Sequence, residues 1–283
     1  MLVSGKTLLD QAVRGGYAIG SFNTYNLEIT RAILAAAEAR RAAVFLAVGS
    51  GAFDYGGFGP LTQLVLAAAR EATVPVAVHL DHSPTVAACE RCLGAGFTSL
   101  MIDGSNLPFD ENVALTRQAV QRAGEMPVEG ELGGVGGDED SSGAQETAIP
   151  MTDPDQARAF VEQTGVASLA IAIGNAHGIY KGEPKLDFDR LAELRDAVPG
   201  PLVLHGASGL SDDDLRRAIS LGVRKINVNT EIRQTLFGSL ERSLEQGVKG
   251  YDVTRLFGAA MEAMQQTVEE KIDVFSGSPS PSS

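Results

Sequence analysis

The sequence predicts an α/β chain closed into a single (β/α)8 TIM barrel with extra helical material at its C-terminal end. Three observations carry this expectation. Short, β-rich apolar runs alternate with longer Ala-, Leu- and Glu-rich stretches at helical spacing. The alternation repeats through eight run-then-helix units over nearly all of the 283 residues. Most runs are apolar on both alternating faces, as suits parallel strands covered by helices. A doubly wound open sheet is the competing architecture.

Taken in order, the strands are expected at 17–23 (YAIGSFN), 43–49 (AVFLAVG), 75–81 (PVAVHLD), 99–103 (SLMID), 127–133 (PVEGELG), 168–174 (SLAIAIG), 201–206 (PLVLHG) and 225–229 (KINVN). Between them lie helical patterns such as LEITRAILAAAEARR at 27–41 and LTQLVLAAAREA at 61–72, and a last helix is expected over roughly 251–273. The closing SGSPSPSS cannot bury apolar area, so the barrel domain is expected over 1–275 and a disordered tail over 276–283. One irregular, Gly-rich segment, 133–150, is too long for a simple connector and reads either as an active-site loop or as a solvated excursion.

Composition narrows the function classes. With 44% hydrophobic residues the chain can bury a large core. Its 23 basic against 36 acidic residues give a net charge of −13, which argues against a nucleic-acid partner or an anionic membrane surface. No apolar run approaches the roughly 18 to 20 residues of a membrane span, and the N-terminus lacks a basic segment followed by an apolar stretch, so a cytoplasmic protein is expected. Cys89 and Cys92 fall inside a probable helix and read as a buried helix face rather than a redox pair. The SGKT at 4–7 resembles the end of a phosphate-binding Walker A loop, but no strand precedes it, and no GxGxxG follows any strand.

In such barrels chemistry collects where the strands finish. Those ends carry Asn23, Ser50, Asp81 with His82, Asp103, Glu131, His177, His205, and Asn227 with Asn229. Three of the four histidines thus stand just past apolar strands; His79, inside its strand, reads as packed and hydrogen-bonded. Neutral imidazoles converging on a divalent ion fit Zn2+ with an open position, and Asp103 and Glu131 can add oxygen ligands or hold the rings. For an anion, NAHGIYKG (175–182) combines Gly178 with Lys181, HGASG (205–209) offers small residues, and NVNT (227–230) opens a helix N-terminus.

The ordered motifs HLDH, MIDGS, E-x-E-L-G-x-x-G-G-x-E-D, AIGNAHGIYKGEPKLDF, LHGASG and KINVNTE closely resemble those of the class II, metal-dependent ketose-bisphosphate aldolases, from about residue 1 to 273. The resemblance implies that His82, His177 and His205 hold catalytic Zn2+, and that Asp103 and Glu131 serve an alternative or second site for a divalent or monovalent cation. It implies that Asp81 is the acid/base at the C4 hydroxyl and that Glu139, in the long loop, moves the proton on the dihydroxyacetone phosphate carbon. Asn23 is implied as a substrate contact, with Gly178, Lys181, Gly206, Ser208, Asn227 and Thr230 around the ketone-half phosphate and Asn229 nearby. Ser50 and Arg233 are implied for the other phosphate, the arginine serving a neighbouring subunit of a homodimer or homotetramer. Fructose 1,6-bisphosphate is the expected substrate, with tagatose 1,6-bisphosphate or another phosphorylated ketose as alternatives. A sugar-phosphate isomerase or epimerase would use the same ion without releasing trioses. A Schiff-base aldolase is disfavoured, because Lys225, its best candidate, is expected at the start of its strand and so at the wrong rim.

Overall fold

The structure, a computed structural model, describes residues 1–135, 150–180 and 182–277. Among these the chain runs α1 (Gly5–Gly15), β1 (Ile19–Asn23), α2 (Leu27–Arg40), β2 (Val44–Val48), α3 (Ser50–Gly56), α4 (Phe58–Glu71), β3 (Val76–Ser83), α5 (Val86–Ala95), β4 (Ser99–Ile102) and α6 (Phe109–Ala123). It continues through β5 (Val128–Leu132), α7 (Pro154–Thr164), β6 (Ser168–Ile171), α8 (Phe188–Ala197), β7 (Leu202–Leu204), α9 (Asp212–Ser220), β8 (Val223–Val228), α10 (Thr230–Glu245) and α11 (Val253–Phe275). Each strand pairs in parallel with the next, and β8 closes on β1.

All eight expected strands are present, and the open-sheet alternative falls with the β1–β8 pairing. The differences lie at the edges. β8 begins at Val223, so Lys225 sits within the strand rather than at its start. The predicted tail boundary at 276 follows the last residue of α11, Phe275; residues 278–283 lie outside the described residues, as do 136–149 of the long Gly-rich segment. Cys89 and Cys92 are buried on α5 without a disulfide, Cys89 Sγ donates to the Met101 carbonyl at 3.7 Å, and burial pushes the Cys92 thiol up to about 12, in keeping with a packed helix face.

Two helices were not expected. The SGKT stretch starts α1: the Ser4 side chain accepts from the Lys6 N–H at 3.3 Å, capping the helix. The apolar face of α1 then closes the N-terminal mouth of the barrel, where Leu8, Leu9 and Ala12 pack with Ile19, Phe45 and Ala77. Burying Leu8 and Leu9 contributes about 1.5–3 kcal/mol each. The second is the short α3, which follows β2 directly and begins at Ser50.

At the other side of the barrel wall, α11 lies along β1. Ala18 donates its N–H to the Phe275 carbonyl at 3.0 Å, Phe275 stacks on Phe22, and Arg40 of α2 bridges Glu269 and Asp273 of α11. No helix among the described residues is long and apolar enough to cross a membrane.

The barrel interior is not uniformly apolar. Met101, Ala170 and Val203 form a small apolar cluster there. Beside it are buried His79, Ser99, Glu129, Ser168 and Lys225. The expectation of strands apolar on both faces therefore fails at these inward positions, which alternate with outward aliphatic residues.

Candidate metal centre and active site

The first site residues come from an irregularity in β3. A regular strand would send Asp81 and His82 to opposite faces. Here the β3–β4 register slips between Leu80 and Ser83, and His82 takes φ 45°, a left-handed conformation uncommon outside glycine. The bulge turns both side chains inward. Asp81 then accepts hydrogen bonds from Asn23 Nδ2 at 2.8 Å and Asn227 Nδ2 at 3.1 Å, while His82 Nδ1 meets Asp103 Oδ2 at 2.9 Å.

His205 follows β7 and His177 follows β6 in a loop, and both converge on His82. Ring centroids are 4.6 Å apart for His82 and His205, 4.9 Å for His82 and His177, and 5.8 Å for His177 and His205. One nitrogen from each lies within 4.8 Å of the others. His82, Asp103 and Glu131 form a second such group. His79 stays apart from both, bonded to Ser99 Oγ at 2.8 Å, as expected.

Electrostatics suit a cation here. Burial holds His177 well below the usual imidazole range and lowers His205 as well, so both rings are neutral with lone pairs to offer. Burial and then the neighbouring Asp103 push Glu131 up to about 8. Asp103 goes the other way: burial opposes ionisation, but the His82 hydrogen bond overcomes it and holds the carboxyl well below its ordinary value. Asp81 is likewise held low, with burial outweighed by the surrounding imidazoles and Lys225. Four buried atoms of this site have no hydrogen-bond partner among the described residues: Nε2 of His177, Oε2 of Glu131, and Oδ1 of Asn23 and of Asn227. Unsatisfied donors and acceptors of this kind are costly unless something fills the space between them. The residues present therefore fit a divalent cation.

The described residues expected around the phosphates stand at the same rim. Gly206 (φ 63°) leaves no room for a Cβ beside the Ala176 peptide, and Tyr180 ties the two loops by accepting from the Ala176 N–H and donating to the Gly206 carbonyl. Ser208 Oγ accepts from the Glu231 N–H at 3.3 Å, so it stands at the N-terminus of α10, whose first residue is Thr230. Gly178, φ 86°, follows His177 in the neighbouring loop. Asn229 donates to Tyr25 Oη at 2.9 Å, and the Arg233 guanidinium lies 5.6 Å from the Tyr25 ring centroid. Ser50 is exposed at the rim in the first turn of α3. Glu139 and Lys181 lie outside the described residues.

Reading strand ends missed several residues of this site. Asn175 donates to the His205 carbonyl at 3.1 Å and positions that loop, and Tyr25 and Tyr180 are described above. Glu129, bonded to His205, was also missed. Its signal was available: it stands two residues before Glu131, the inward spacing that also separates His79 from Asp81 and Lys225 from Asn227.

Comparison with known proteins identifies the family. The family model described as fructose-bisphosphate aldolase class-II matches residues 3–279. A fructose-bisphosphate aldolase of Geobacillus stearothermophilus is 44% identical over 282 residues, covering 98% of each chain. Among solved structures, the YdjI aldolase of Escherichia coli K12 superposes with a TM-score of 0.86 at 38% identity over 97% of both chains. The Campylobacter jejuni fructose-bisphosphate aldolase, at 24% identity and a TM-score of 0.76 over 97% of this chain and 95% of that one, supports the fold alone. The chain therefore belongs to the class II fructose-bisphosphate aldolase family, whose members are metal-dependent lyases.

Proposed function

We propose that the protein catalyses reversible, Zn2+-dependent aldol cleavage of a ketose bisphosphate, with fructose 1,6-bisphosphate preferred, to dihydroxyacetone phosphate and an aldehyde phosphate. The observation that carries this reading is the meeting of His82, His177 and His205 beside a carboxylate, Asp81, clamped by two asparagines. Three imidazole nitrogens are a donor set Zn2+ favours. Bound there, the cation supplies Lewis acidity toward the ketone oxygen of the substrate.

The chain's own groups do the rest. Asp81, ionised and fixed by Asn23 and Asn227, takes the proton of the C4 hydroxyl as the C3–C4 bond breaks. Glu139 returns a proton to the ketone-half carbon. Asn23 also contacts substrate. Gly178, Lys181, Gly206, Ser208, Asn227 and Thr230, with Asn229 nearby, receive the ketone-half phosphate at the α10 N-terminus, where backbone N–H groups and the helix dipole favour an anion. Ser50 and Arg233 receive the other phosphate. Asp103 and Glu131, with His82, offer a position for a second cation or an alternative one for the first, supported by their grouping within 4.8 Å.

The same reading has the chain acting as one catalytic unit to residue 275 and as a homodimer or homotetramer. Exposed Phe237, one turn from Arg233 on α10, together with exposed Leu244, Tyr251 and Val253, supports such an assembly. A cytoplasmic setting accords with a doubly phosphorylated substrate that cannot cross a bilayer unaided. The test is a chelator titration with triose-phosphate detection across a panel of ketose phosphates. Chelation should abolish triose release and Zn2+ or Co2+ restore it, with fructose 1,6-bisphosphate turned over best. Full turnover after exhaustive metal removal would overturn the reading.

A further inference from the structure

Behind the imidazole cluster, inside the barrel, lies a buried ion pair that the reaction above does not use. Lys225 Nζ is 2.9 Å from Glu129 Oε2, and both side chains are buried. Ser168 Oγ donates to the same Glu129 oxygen at 3.4 Å, and Lys225 also meets His79 Nε2 at 3.4 Å. The other Glu129 oxygen, Oε1, is 2.8 Å from His205 Nε2. Taking two charges out of water costs several kcal/mol per ion before their attraction returns it, and apolar side chains of similar volume often serve stability better. Stability alone therefore does not account for the pair.

Hydrogen-bond directions show what it does. An ionised carboxylate only accepts, so His205 Nε2 must carry the proton that it donates to Glu129. The opposite face of the ring agrees independently. Asn227 Nδ2 donates to Asp81 Oδ1 at 3.1 Å, which settles which atom of that amide is nitrogen, and the same Nδ2 is 3.2 Å from His205 Nδ1. His205 Nδ1 is therefore an acceptor with a lone pair. It faces His82 Nε2 at 2.9 Å, and the other nitrogen of His82 is committed to Asp103. His205 Nδ1 therefore offers its lone pair toward His82, as a hydrogen-bond acceptor in the absence of a cation and as a ligand atom in its presence.

We propose that the Glu129–Lys225 pair is a positioning device for His205: it keeps the ring proton on Nε2 and the Nδ1 lone pair turned toward His82 and His177. Lys225 acts through Glu129, fixing one carboxylate oxygen at 2.9 Å so that the other faces His205 Nε2. His205 and His82 are thus held in opposite tautomers by two different carboxylates, Glu129 from the barrel interior and Asp103 from the rim. The inference rests on the cation site proposed above and adds which nitrogen of His205 serves it.

The test uses full-length protein labelled with 15N-histidine, as the Zn2+-loaded form and after chelation. Long-range proton–nitrogen spectra of only four histidines can be assigned with single His→Gln variants. Expected for wild type are a protonated Nε2 on His205 and a protonated Nδ1 on His82. Because Glu129→Gln leaves Lys225 uncompensated and can unfold the barrel, it is paired with the doubly neutral Glu129→Gln/Lys225→Met. The double variant should keep its melting transition, show mixed tautomers at His205, and bind Co2+ about 10- to 100-fold more weakly by its visible absorption. A proton on His205 Nδ1 in the chelated wild type would overturn the proposal, as would wild-type Co2+ affinity in the folded double variant. Failure of the cation reading looks different: wild type, and not only the variants, would then fail to take up Co2+, while the tautomer spectra would still decide the role of Glu129.

Discussion

Replacing Gly206 with alanine would place a methyl group 2.3 Å from the carbonyl oxygen of Ala176 and 2.5 Å from its carbonyl carbon, at a φ of 63°. Two costs add. The left-handed conformation costs a residue with a Cβ about 1–2 kcal/mol. The overlap is with backbone, which cannot rotate away as a side chain can, and forced repacking of this kind costs about 1–3 kcal/mol. Together they give about 2–5 kcal/mol, a fall in Tm on the order of 10 °C at roughly 2–4 °C per kcal/mol. Gly206 follows His205 and Ala176 precedes His177, so the strain is released by separating two of the three imidazoles. Displacement by a few tenths of an ångström should weaken Co2+ binding about 10- to 100-fold, the penalty typical of disturbing the groups that orient a metal's ligands. Thermal melts and a Co2+ titration followed by absorption measure both effects. The control is Gly258→Ala in α11, where a Cβ meets nothing within 4 Å and helix propensity favours alanine by about 0.5–1 kcal/mol. A Gly206→Ala protein that melts within about 2 °C of wild type and binds Co2+ equally well would refute the reasoning.

Asp81→Asn should leave Co2+ affinity near wild type while lowering kcat about 10²- to 10⁴-fold, as loss of a general base does; turnover at the wild-type rate would remove Asp81 from the proton transfer. Tyr180→Phe deletes the hydroxyl that accepts from the Ala176 N–H and donates to the Gly206 carbonyl, leaving two backbone groups without that partner, so a loss of about 1–3 kcal/mol and a raised KM are expected in denaturant melts and steady-state kinetics. Unchanged stability would mean that water replaces the hydroxyl. Burial, reinforced by Lys225, lowers His79 to about 3 from its ordinary 6.5. Between those values the unfolded chain binds a proton that the folded protein does not, so this contribution to stability is complete above pH 6.5 and is lost as pH falls toward 3. Glu129, held below its ordinary range, acts in the same direction at the acid end, its contribution fading as pH drops below the normal carboxylate value. Glu131, pushed up to about 8, acts in the opposite direction in metal-stripped protein, so the His79 share is read as a difference: His79→Gln should shift the slope of melting temperature between pH 7 and pH 5 toward greater relative stability at pH 5, and parallel slopes would contradict a buried neutral His79.

What the sequence by itself determined about this chain is what local chemistry determines. Apolar runs bounded by helical patterns place all eight strands, because a parallel strand covered by helices must be aliphatic wherever it faces them. Three histidines standing just past such runs, with Asp81 beside one of them, mark a candidate metal site before any distance is known. Only the tertiary structure decided the rest. Closure of β8 on β1 depends on register between strands far apart in the chain, which no local pattern encodes. The bulge that turns both Asp81 and His82 inward depends on pairing with β4, and the α1 plug needs a barrel mouth to fill. The polar interior was the largest surprise: Glu129, Lys225 and His79 look like isolated charges in aliphatic strands until closure brings them together. A side chain's period along a strand is a local quantity, whereas its partner across a barrel is a property of the closed shape, and the choice of nitrogen that His205 turns toward a cation belongs to the second kind.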